Sequence, residues 1–223
     1  MKIMTKDTII LGLGKDCEMR TKPTLDECRA YIVLKDVLNI KCLELSDKPD
    51  LVDMSNSMGI EVVNAIPNDV LHVANMYDKK ENHYINLEAI NKAICKYGYS
   101  QEYLASDSFN PRTITKDEIY QLLNERIKEK CCKKCNYKEF REYRLFLNTF
   151  TGKPYNSNDF TDYVSSLYKE YKHIFNVLYF FIMDLHKVIT IDENGITEIE
   201  IEDFKEVEDK AKALRNSRKS AST

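Results

Sequence analysis

A chain of 223 residues, 43% hydrophobic and 31% charged, can bury a sizeable core but is short for two full domains, so one domain with decorations is expected. Its formal net charge of −3 shows no global basic excess of the kind a strong phosphate binder often carries, which leaves room only for a local basic patch. The cysteine count, 7, is odd; the first residues, Met1 to Asp7, lack an apolar leader pattern, and the most apolar stretch, Ile174 to Leu185, is broken by Asn176 and Asp184. Reduced thiols, a cytoplasmic setting and no membrane partner are therefore expected.

In chain order, Gly12, Gly14 and Lys15 look superficially like a phosphate loop but lack its full spacing and trailing Lys-Ser/Thr. Pro23 and Thr24 open a helix, with Glu27 completing a capping-box pattern. Tyr31, Leu34, Val37 and Leu38 continue it at helical spacing, and Asn39 fits its end. Ile40 to Leu45 reads as a strand, followed by turn chemistry at 46–49 and a second strand candidate at 50–53. After a polar turn at 54–58, Gly59-Ile60-Glu61-Val62-Val63 reads as a buried strand interrupted by one acid. Helices are expected from Asn68 or Asp69 to about Tyr77, from Leu87 to Lys96, and from Thr115 to Lys130, the last with Thr115 and Glu118 as a second capping box. Residues 100–112 read as a loop, 145–147 as a strand, 152–159 as a turn-rich loop, 160–171 as a helix and 175–181 as an aromatic strand. A hairpin is expected where 187–191 and 196–201 flank Asp192-Glu193-Asn194-Gly195. From Phe204 the chain reads as a charged helical tail that becomes disordered from Ser217 to Thr223.

One arrangement of acids carries chemistry. An acid inside an apolar strand is costly unless it is paired or metal-bound, which singles out Glu61. Asp50 follows Pro49 closely enough upstream for one strand to turn and return beside the other, bringing both carboxylates to one end of a sheet. Mg²⁺ or Mn²⁺ suits such oxygen ligands, and a cation so held activates water and stabilises charge on a phosphate.

At these residues the chain resembles the PD-(D/E)xK, or restriction-endonuclease-like, superfamily. The matching positions are Glu27 on a helix, Pro49-Asp50 at a strand and Glu61-Val62-Val63 on the next, with Val63 standing where that family has its lysine. The motif core covers about residues 24–78, roughly a quarter of the chain. The resemblance implies an α/β fold with a mixed central sheet flanked by helices, one nuclease-like domain over 1–203, and the tail beyond it. It implies a divalent-metal-dependent nuclease in which Asp50 and Glu61 hold Mg²⁺ or Mn²⁺ and Glu27 assists. Nucleic acid, DNA rather than RNA, is the implied partner, and a homodimer is an assembly many such nucleases use. Without the motif lysine two alternatives stand. A lysine from elsewhere reaches the site, with Lys48, Lys79 and Lys80 near in sequence, or the domain is a catalytically inactive module that binds nucleic acid or a partner protein in a mobile-element or defence system.

Each acid also has a plainer reading. Glu27 fits a capping box, Asp50 a turn after proline, Asp53 a turn cap, and Glu61 an edge-strand acid facing water. Lys128, Lys130, Lys133 and Lys134 form a cluster suited to a phosphate backbone, or a solvated helix face with Glu125, Glu129 and Glu139 interleaved. Cys132-Lys133-Lys134-Cys135, with Cys131, supplies too few zinc ligands, and reduced structural thiols fit better.

Overall fold

The computed structural model describes residues 23–81, 87–97, 114–133, 139–151 and 156–220. The Gly12–Lys15 segment, the loop expected at 100–112, Lys134 and Cys135 lie outside them. Helix α1 (Leu25–Ile32) starts at Thr24, whose side chain accepts Glu27 N–H at 3.2 Å while Glu27 Oε2 accepts Thr24 N–H at 2.8 Å. A π-turn, Val33–Val37, extends it, and Asn39 at φ 54° ends it in the left-handed region where Asn is tolerated.

Seven strands follow in one sheet, ordered along the chain: β1 (Glu44–Leu45), β2 (Leu51–Asp53), β3 (Met58–Ala65), β4 (Glu142–Thr149), β5 (Val177–Ile182), β6 (Lys187–Asp192) and β7 (Gly195–Glu200). β3, β4 and β5 are mutually parallel, and every other neighbouring pair is antiparallel. Parallel neighbours need crossovers. Helices α2 (Asn68–Glu81), α3 (Leu87–Lys96) and α4 (Lys116–Lys133) fall between β3 and β4, and α5 (Ser157–Tyr171) between β4 and β5.

Two apolar layers sandwich the sheet. Ile119, Leu123 and Ile127 of α4 and Phe160, Val164 and Leu167 of α5 pack on Leu145, Leu147, Phe180 and Ile182. On the opposite face, Cys28, Ala30, Val33 and Leu34 meet Ile60, Val62, Phe146, Tyr179 and Phe181. β5 is buried at all six positions because both its faces are covered.

Two expectations change. The strand read over Ile40 to Leu45 is confined to Glu44–Leu45, because Asn39 and Cys42 both hold positive φ (54° and 62°) and an extended ladder cannot run through them. The segment read as a charged helical tail is helix α6 (Phe204–Ser220), and the helix runs past Ser217, where disorder was expected; residues 221–223 lie outside the described ones. Val207 and Ala211 are buried in the second apolar layer, and Arg29 clamps Glu208 through Nε–Oε1 at 2.5 Å and Nη2–Oε2 at 2.9 Å. Burying that apolar stripe makes α6 part of the domain. The 192–195 hairpin forms as read, with Gly195 at φ 130°.

Candidate active site

The antiparallel register pairs Leu51 with Ile60, so the next step along the two strands sets Asp50 opposite Glu61. Asp50 is held there by its own oxygen: Oδ2 accepts the Val62 N–H at 2.7 Å, a bond between the two segments made by a side chain rather than a peptide. Alternation along β3 sends Ile60 and Val62 into the layer beneath α1 and turns Glu61 and Val63 towards α4.

Above these carboxylates lies the last turn of α4. Lys130 Nζ donates to Glu61 Oε2 in a short ion pair and stands 3.6 Å from Asp50 Oδ2. The three side chains are nearly dry, at 15% exposure for Lys130, 11% for Asp50 and 3% for Glu61. Burial works against the Lys130 charge, but the Asp50 and Glu61 carboxylates outweigh it and hold its pKa above the ordinary lysine value. The stability this adds is complete at neutral pH and is lost only as pH rises through the lysine range towards that raised value.

Of the cluster Lys128, Lys130, Lys133 and Lys134, the structure describes the first three and sets Lys130 apart from Lys128 and Lys133. Lys128 and Lys133 are exposed, whereas Lys130 points into the acid pair. A signal for this was present. Ile119, Leu123 and Ile127 mark the inward stripe of α4, and Lys130 falls one turn further along that stripe, where a cation needs a buried acid. Of the lysines near in sequence, Lys48 is exposed, and the side chains of Lys79 and Lys80 lie outside the described set. Val63, at the motif lysine's position, packs against the apolar layer under α4.

The remaining acids take the places their plainer readings gave them. Glu27 is buried and engaged in the α1 capping box, on the layer opposite Lys130. Asp53 closes the β2–β3 turn. Its Oδ1 accepts from Ser55 N (3.0 Å), Ser55 Oγ (2.6 Å) and Asn56 N (3.1 Å), and its Oδ2 from Asn56 Nδ2 (2.7 Å). Burial raises the Asp53 pKa, but these hydrogen bonds from Ser55 and Asn56 outweigh it, and the net value is lowered. Its contribution to stability is therefore present above the ordinary carboxylate pKa of about 3.9 and fades as pH falls towards the folded value. Asp53→Ala is expected to cost about 1–3 kcal/mol at neutral pH, since four donors lose their acceptor. Urea unfolding at pH 7 and pH 3 checks it: the gap between wild type and variant must narrow in acid.

Among the described residues, no group of three or more His, Cys, Asp or Glu side chains is placed to hold a metal ion. The pair alone still suits a hard divalent cation, which binds proteins through one or two carboxylates and otherwise keeps its waters. The Lys130 ammonium faces both carboxylates. Cys131 is half-buried and Cys132 exposed, and neither is in a disulfide. No described helix is long and apolar enough to cross a membrane. Comparison with protein-family models, with curated proteins and with solved structures returns no match to this chain.

Proposed function

We propose that the protein is a divalent-metal-dependent nuclease of the PD-(D/E)xK type, with Asp50 and Glu61 as its metal ligands and Lys130 in the role of the lysine missing at Val63. The observation that carries this reading is the convergence of Lys130 on Glu61 and Asp50 across the sheet–helix interface. The order of α1, β2, turn, β3 and α2, with Asp50 just before β2 and Glu61 on β3 in a mixed sheet flanked by helices, also agrees with what the resemblance implies.

The roles follow from the chemistry of each group. Asp50 and Glu61 would hold Mg²⁺ or Mn²⁺ through carboxylate oxygens, with Val62 N–H fixing the orientation of Asp50. The cation, when bound, would supply an activated water and neutralise charge on the phosphate. Lys130 would hold the attacking water or the developing oxyanion through its ammonium donors. Lys128 and Lys133, exposed on the same helix, would meet a phosphate backbone. Glu27 supports the helix that packs on β3, and its capping role makes it a structural contributor.

The test is cleavage of plasmid DNA, single-stranded DNA and RNA by purified protein with Mn²⁺, with Mg²⁺ and with EDTA. Cleavage that needs the cation is expected, with DNA the better substrate. A folded protein that cuts none of the three with either metal removes the nuclease reading. It then favours a second reading, an inactive nuclease-like module, which draws on the same contact: Lys130 already neutralises part of the acid pair's charge.

A further inference from the structure

The position of Lys130 has a consequence for how a cation enters. A lysine on β3 would be fixed to the strand ladder, but Lys130 sits on α4, in the layer facing the sheet, and can withdraw without breaking a single strand hydrogen bond. Its long, flexible stem carries a compact charge that re-aims readily. With Lys130 removed, Asp50 and Glu61 would leave two carboxylates facing each other across β2 and β3 with little water around them. With Lys130 in place, a divalent ion on the same two oxygens would meet a positive charge at close range, where scarce solvent leaves the repulsion strong.

We propose that Lys130 is the resident cation of the metal-free site and yields its place between Asp50 and Glu61 to the divalent ion, so that metal uptake is in competition with the seating of the last turn of α4. This rests on the reading of Asp50 and Glu61 as metal ligands. The metal-free fold is then held together by the ammonium, and the metal-loaded fold by the ion. Lys130, released from Glu61, becomes available to act on water or phosphate. The site is thereby closed to chemistry until the cation arrives.

The competition predicts an affinity change opposite to that of a residue that merely supports the site. Mn²⁺ binding is measured by isothermal titration calorimetry, and thermal stability with and without Mn²⁺, for wild type, Lys130→Gln and Lys130→Arg. Gln keeps a hydrogen-bond donor for Glu61 and removes only the charge. Lys130→Gln is expected to melt below wild type in EDTA, to gain more from Mn²⁺ than wild type does, and to bind it about tenfold tighter or more. Lys130→Arg, which keeps the charge, is expected to bind Mn²⁺ no more tightly than wild type. Should Lys130→Gln fold only when Mn²⁺ is present, the competition is supported directly; failure to fold in both conditions overturns it. Equal or weaker Mn²⁺ binding by folded Lys130→Gln, alongside metal-dependent cleavage by wild type, overturns the competition and leaves the nuclease reading standing. Absence of Mn²⁺ binding by both folded proteins overturns the two together.

Discussion

Glu61→Gln is expected to reduce metal-dependent cleavage by about a hundredfold or more while the protein remains folded. A ligand carboxylate contributes several kcal/mol of charge stabilisation through its cation, and each 1.36 kcal/mol is about tenfold in rate. Gln preserves the shape of the side chain in a position that is only 3% exposed, so packing on β3 is kept. Breaking a buried ion pair costs about 3–5 kcal/mol when the remaining charge is stranded. Here Lys130 keeps Asp50 at 3.6 Å, so the loss should fall below that range. Asp50→Asn should impair cleavage in the same way, with the added effect that its amide NH2, if turned towards Val62 N–H, can no longer accept that bond and tie the segment before β2 to β3. Initial rates on plasmid DNA, read beside circular dichroism melts, test the pair. Wild-type rates in both variants would end the assignment of these carboxylates to catalysis.

Gly59 carries the second large effect, through space rather than through backbone freedom. A Cβ built there would lie 2.7 Å from Pro49 Cγ and 3.1 Å from Phe140 Cδ2. The proline ring has no rotamer by which to step aside, so either β3 or the segment bearing Pro49 must move. Overpacking of this kind typically costs about 1–3 kcal/mol, and Gly59→Val should exceed Gly59→Ala. The displacement would reach the proposed metal site, since Pro49 precedes Asp50 and Gly59 stands two residues before Glu61 on β3. Both variants should therefore lower the urea midpoint and weaken Mn²⁺ binding more than their loss of stability alone requires. A Gly59→Ala protein with wild-type midpoint and wild-type metal affinity would show that this close approach does not govern the site.

Much of the local architecture was legible because it rests on short-range chemistry. Thr24 with Glu27, and Thr115 with Glu118, mark helix starts through bonds spanning three residues, and both bonds to the cap hydroxyl are present. Asn39 and the Asp192–Gly195 turn end their elements through conformations that few residue types adopt readily. Glu61 was conspicuous because its neighbours Ile60 and Val62 are apolar, and Asp53 because a turn follows it. The short β1 strand was overread for a related reason: the apolar residues of Ile40 to Leu45 suggest extension, but the positive φ at Asn39 and Cys42 is a backbone property that hydrophobicity does not report.

By itself, then, the sequence determined where helices and turns begin and which acid on β3 demanded a partner, since those depend on neighbours within a few positions. Only the tertiary structure decided who that partner is. Lys130 is 69 residues from Glu61, and their meeting depends on β4 lying parallel beside β3 and on α4 crossing back over that face. The same holds for α6, whose charged composition reads as a tail until α1 offers Arg29 to Glu208 and the apolar layer takes in Val207 and Ala211. Charges along a helix do not reveal whether solvent or a buried counter-charge balances them. The packing of layers does, because removing water makes an unpaired charge costly and thereby selects which cation faces which acid.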